Sequence, residues 1–151
     1  MSTRGFEFAY MLDGSNGTPL IRDFILSTQT AHKVGDLMLV ASDGDVTQVT
    51  HGIDEVTGIM QEAVASVDVS AGTTLAKVAI ITRNQVWRVS MDATSTTAII
   101  GVDKLMDSAD CRSFDADDHA DGTMILVDVG TPADGTLIAY VVFNDTTFGN
   151  A

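Results

Sequence analysis

Basic residues are scarce in this chain. Eight Lys and Arg stand against twenty-one Asp and Glu among 151 residues, a formal charge of −13 with a pI near 4.2. Phosphate backbones and anionic membranes attract proteins through clustered Lys and Arg, so the charge balance argues against nucleic acid and membrane as partners. Cysteine occurs once, at Cys111, which excludes an intrachain disulfide framework and with it a disulfide-rich secreted scaffold. Long hydrophobic runs are missing too: the longest, residues 137–143, is seven residues, against the roughly 20 that a membrane helix needs. No apolar segment of signal-peptide type follows Arg4, and the expectation is a soluble chain assembled inside a cell. No stretch of ten or more residues sustains a helical period, and no internal repeat or low-complexity tract is found.

What the chain has points to strands. Val, Ile and Thr together number 44 of the 151 residues, the composition of a β-rich protein. The acid is lopsided, eighteen Asp against Glu7, Glu55 and Glu62. Asp favours turns and caps whereas Glu favours helix interiors, so most of the negative charge is placed in connections. At 45% hydrophobic residues the chain has the material for one core, and a chain of this size buries roughly 68–70% of its unfolded surface.

The pattern predicts three regions. Residues 1–33 read as an N-terminal arm in which Phe6, Phe8 and Tyr10 alternate along a strand before the break at residues 13–17. The three aromatics serve either to cap the open end of their own domain or to dock on a neighbouring chain. Residues 34–143 read as a compact all-β barrel or sandwich of short strands, with at most one short helix. Strands are expected at 37–42 and 46–50, joined as a hairpin at Asp43-Gly44, and at 56–60 and 63–69. A second hairpin is expected from 75–82 and 85–90 around Arg83-Asn84, then a strand at 99–102, a helical turn at 103–109, and a final strand pair at 124–129 and 137–143. Residues 144–151 read as a frayed C-terminal tail.

Candidate chemistry is thin. Asp115, Asp117, Asp118, His119 and Asp121 form the densest ionisable cluster, and Gly122 follows. Laid on a calcium-binding loop, Asp117 and Asp121 take the first and fifth positions and Asp128 the twelfth. His119 then replaces an oxygen ligand, Asp128 is short for the bidentate Glu of that position, and a strand follows where a helix should. A solvated acidic loop is the favoured reading, with no cofactor. His32, His51 and His119 lie far apart without zinc-ligand spacing, and no nucleophile elbow, phosphate-binding loop or dinucleotide fingerprint is present, so the sequence predicts no enzyme. Trp87, between Val86 and Arg88, reads first as a core anchor and second as an interface hot spot. The interface candidates are therefore Phe6, Phe8, Tyr10 and Trp87.

The stretch 24–46 carries Lys33-x-Gly35-Asp36-Leu37, then Asp43-Gly44-x-Val46, followed by a Gly58-Ile59 step, a strand at 61–69 in the place of an Ala/Glu-rich one, Val86-Trp87-Arg88-Val89 and Ile100-Gly101-Val102-Asp103. This order of motifs resembles the capsid decoration, or cement, proteins of tailed bacteriophages. The resemblance covers most of residues 24–143 and leaves the aromatic N-terminal segment unmatched. It implies a homotrimer that binds the major capsid protein at local three-fold positions on the outer surface of the virion, stabilises the mature head, and is assembled in the host cytoplasm. A head-fibre or tail-associated β-trimer is the alternative. A trimeric all-β enzyme of the deoxyuridine-triphosphatase kind fits the length, but its glycine-rich C-terminal arm and phosphate-binding basic residues are not found in the sequence.

Overall fold

A computed structural model describes residues 5–27, 30–41, 43–49, 55–70, 72–91, 108–114, 124–130, 138–144 and 146–148. Within them the chain is all-β, with a single 3-10 turn at Ser66–Asp68. The strands are β1 (Glu7–Met11), β2 (Ile21–Ile25), β3 (Leu37–Val40), β4 (Val46–Gln48), β5 (Gly58–Met60), β6 (Leu75–Ile80), β7 (Gln85–Met91), β8 (Ser108–Asp110), β9 (Ser113–Phe114), β10 (Met124–Gly130) and β11 (Ile138–Phe143).

They form two sheets in a sandwich-like arrangement, and the described strands make no closed barrel. The first sheet runs β10-β11-β7-β9-β8, with β1 also paired to β7; β7 and β9 are parallel and the other pairs antiparallel. The second sheet is antiparallel in the order β2-β6-β5-β3-β4. It curls enough that its two outer strands meet at one point, the parallel bridge between Leu26 and Val46.

Period-two alternation puts the middle of this second sheet at the centre of the core: β5 is buried on both faces, and so are the start of β3 and the end of β6, whereas β2 is largely exposed. Leu37, Ile59, Ala79 and Ile81 face the first sheet and pack with Phe6, Trp87, Val89, Leu126, Val141 and Phe143. Their neighbours Met38, Met60, Ala76 and Val78 face the inside of the curl and pack with Leu26, Val46 and Val69. Gly58 lies between β3 and β6, where an added Cβ would overlap the carbonyl oxygen of Ala79 and the Cγ1 of Val78. No larger residue fits there without moving a strand.

Several expectations need correction. The stretch 1–33 is no separate unit in its described part: β1 belongs to the first sheet and β2 to the second. Segments 75–82 and 85–90 do not form a hairpin. β6 and β7 lie in different sheets, and the turn between them crosses the sandwich, because Ala79 and Ile81 must face Trp87 and Val89 across the core. Gln85 holds that crossing, its Oε1 accepting from the Thr82 N–H at 3.0 Å. Among the described residues, 63–69 make one bridge, Val64 to His32, before the 3-10 turn, which leaves Val67 85% exposed. Ser108 and Ala109 are strand rather than helix, while 99–102 and 103–107 lie outside the described residues. In the segment expected to fray, Thr146 is buried and bridged to Val56, and the Thr147 N–H donates to the Val56 carbonyl at 2.9 Å.

Candidate interaction surface

The four aromatic candidates separate. Phe6 is 1% exposed, with its ring 5.6 Å from that of Phe143. Trp87 is equally buried, donates from Nε1 to Gln85 Oε1 at 3.2 Å, and meets Phe8 edge-on at 5.6 Å. These three serve the core. Tyr10 alone turns outward: the register of β1 on β7 slips between Phe8 and Tyr10, so Phe8 lies opposite Trp87 but Tyr10 lies opposite Val86. One inserted residue reverses the face of everything after it. Tyr10 is therefore 45% exposed on the outer face of the first sheet, with its ring 6.4 Å from Tyr140.

The Lys33-x-Gly35-Asp36-Leu37 motif forms a buried polar node. Gly35 has φ +95°, a conformation that favours glycine. The Asp36 side chain, 2% exposed, accepts from Arg112 Nη1 at 2.6 Å through Oδ1. Its Oδ2 accepts from the Lys33 N–H at 3.0 Å and from Gln48 Nε2 at 2.8 Å. Arg112 also donates to the Val34 carbonyl, and the Leu37 N–H donates to the Cys111 carbonyl at 2.7 Å. The turn at Cys111–Arg112 is thus fastened to the start of β3. The node is structural and leaves Asp36 no open face for chemistry.

Of the candidate cation ligands, Asp117 and Asp121 lie outside the described residues. Asp128 is exposed on β10, and its Oδ1 accepts from the neighbouring Val129 N–H. Among the described residues no group of three or more His, Cys, Asp or Glu is placed to hold a metal ion, and no helix is long and apolar enough to cross a membrane. The Asp13 carboxyl is held below the usual carboxylate range, first by the Ser15 N–H at 2.9 Å, then by the Ser15 side chain and Asn84.

The exposed apolar surface lies mainly elsewhere, around β2. Leu20 is 57% and Ile21 51% exposed on opposite faces of the same strand, and Leu75, opposite Ile25, is 58% exposed. A groove of about 540 Å³ opens on one face, lined by Leu20, Arg22, Phe24, Ile80 and Phe148. A second, of about 280 Å³, opens on the other between β1 and β2, lined by Phe6, Phe8, Pro19, Ile21, Val34 and Trp87. β2 is not among the strands expected from the sequence. The available signal was Leu20-Ile21 in succession, since alternation sends the two side chains to opposite faces of a strand that carries charges at Arg22 and Asp23. Compared with known proteins, the chain matches no family model, no curated protein and no solved structure.

Proposed function

We propose that the chain is a structural virion protein, a homotrimer that binds the major capsid protein on the outer surface of a tailed-phage head at inter-capsomer three-fold positions and stabilises the mature head. The observation that carries this reading is the motif order over 24–69, from Lys33-x-Gly35-Asp36-Leu37 through Asp43-Gly44-x-Val46 to Gly58-Ile59, which resembles that of capsid decoration proteins. Two physical features support a protein-binding role. The net charge of −13 suits a solvent-facing component that must stay soluble at high local concentration. Exposed Leu20, Ile21 and Leu75 all lie on or beside β2, Leu20 and Ile21 on its two faces, and this is apolar surface that a protein partner would cover.

The test has two parts. Sedimentation equilibrium of the purified chain reads its mass against 15.9 kDa for one copy, and a trimer is expected. Quantitative mass spectrometry of purified heads reads copy number, which should match the capsid lattice. A monomer, or the few copies typical of a tail part, would overturn the reading.

A further inference from the structure

We propose that the free edge of β2 is a docking site for an extended segment of another protein, apolar at alternate positions and flanked by Lys or Arg, which adds to the second sheet as a further strand. This goes beyond the capsid reading and does not depend on it.

The edge is defined by its hydrogen bonds. At the two ends of β2 the Leu20 carbonyl accepts from the Ile80 N–H at 2.7 Å and the Leu26 N–H donates to the Thr74 carbonyl at 2.9 Å. With the continuous register between them, the backbone groups of Leu20, Arg22, Phe24 and Leu26 point at β6. Those of the intervening residues point away. The Ser27 N–H uses this outward direction to reach the Val46 carbonyl, but the N–H and C=O groups of Ile21 and Asp23 have no strand beside them among the described residues. An unpaired row of this kind is a template for strand addition.

The surroundings suit a strand rather than any other shape. Side chains of an added strand alternate between faces, and an apolar groove lies on each face of β2: about 540 Å³ beside Leu20, Phe24 and Ile80, and about 280 Å³ beside Phe8, Ile21 and Trp87. Successive residues of the incoming segment would enter the two grooves in turn.

Charge selects the occupant. A second copy would bring −13 against −13. Antiparallel self-pairing centred on Arg22 or on Asp23 would also set Arg22 against Arg22 or Asp23 against Asp23, and like charges directly opposite are destabilising. At low salt a segment with basic flanks gains from the net negative charge of the whole chain, in affinity and in association rate.

The probe is a panel of fluorescein-labelled peptides with Lys-Lys at each end and Val, Ile, Leu or Phe alternating with Thr between, read by anisotropy against the full chain. Binding is expected for at least one member. The same core with Glu-Glu ends should bind about tenfold or more weakly at low salt, and a version N-methylated at alternate residues should not bind. Asp23→Pro removes an outward N–H, leaves the β6 ladder its donors, and should abolish binding. Independently of any variant, saturating peptide should slow amide exchange of Ile21 and Asp23 in the wild-type chain more than that of Arg22 and Phe24. Failure of the whole panel, binding indifferent to N-methylation, or no added protection at Ile21 and Asp23 would overturn the proposal. So would self-association of the chain that Asp23→Pro removes, because the occupant would then be a second copy.

Discussion

Replacing Arg112 with Met tests the buried node at the head of β3. The perturbation leaves Asp36, 2% exposed, without its cation but still with the Lys33 N–H and Gln48 Nε2 as donors. Removing one partner of a fully buried ion pair costs about 3–5 kcal/mol, because the remaining charge stays desolvated. Arg112 is 20% exposed and two hydrogen bonds to the carboxylate survive, which lowers the expected cost to about 2–4 kcal/mol. For a chain of this size that corresponds to a fall in melting temperature of roughly 5–15 °C. Urea unfolding of Arg112→Met, Asp36→Asn and the double variant provides the assay. The double variant should be destabilised by less than the sum of the singles, with a coupling of about 1 kcal/mol or more. Lys77→Met is the control: the Lys77–Asp23 pair is 3.3 Å apart with both side chains more than half exposed, and its loss should cost under about 1 kcal/mol. Arg112→Met within about 0.5 kcal/mol of the parent, or strictly additive singles, would refute the claim that this pair fastens the Cys111–Arg112 turn to β3.

Gly58→Ala should destabilise by about 1–3 kcal/mol or more in the same assay, because the new methyl meets the Ala79 backbone; an unchanged midpoint would show that the sheet yields there. Among the described residues His32, 1% exposed, has no hydrogen-bond partner at either ring nitrogen, so His32→Leu should be neutral or stabilising, and a loss beyond about 1 kcal/mol in urea would contradict this. Asp13 should titrate below an ordinary Asp by NMR, and Asn84→Ala should move it upward. With a depressed folded-state value, its stabilising contribution is present above the unfolded value and fades as pH falls through the folded one. Titration at the ordinary value would deny the Ser15 and Asn84 contacts in solution.

The fold class was legible because β-branched runs between Asp and Gly turns carry a strand signal by themselves. The β3–β4 hairpin follows from Asp43-Gly44: Gly44 has φ +89° and Asp43 Oδ1 accepts from the Asp45 N–H at 3.0 Å, the local chemistry of a tight turn. The final pair, β10 with β11, was equally clear. Partnership between strands was less legible. Arg83-Asn84 carries the same turn signal whether the flanking strands pair or cross to opposite sheets, and only the burial of Ile81 against Trp87 and Val89 decides. The aromatic trio misled for a related reason: a bulge after Phe8 is invisible in the alternation of Phe6, Phe8 and Tyr10, yet it divides core from surface. Asp36 gave no sign of being buried, since its cation lies 76 residues away. The edge at β2 escaped because Ile21–Ile25 is short and mixes charge with apolar residues, which weakens any periodic signal.

The most direct test of the proposed role is addition of the purified chain to phage heads that lack it, in parallel with their unexpanded precursor shells, followed by sedimentation. The account predicts saturable co-sedimentation with mature heads, little with precursor shells, and a rise in the temperature at which the heads release their DNA. A chain that stays in the supernatant with mature heads, or that binds both particles alike without stabilising either, would contradict it.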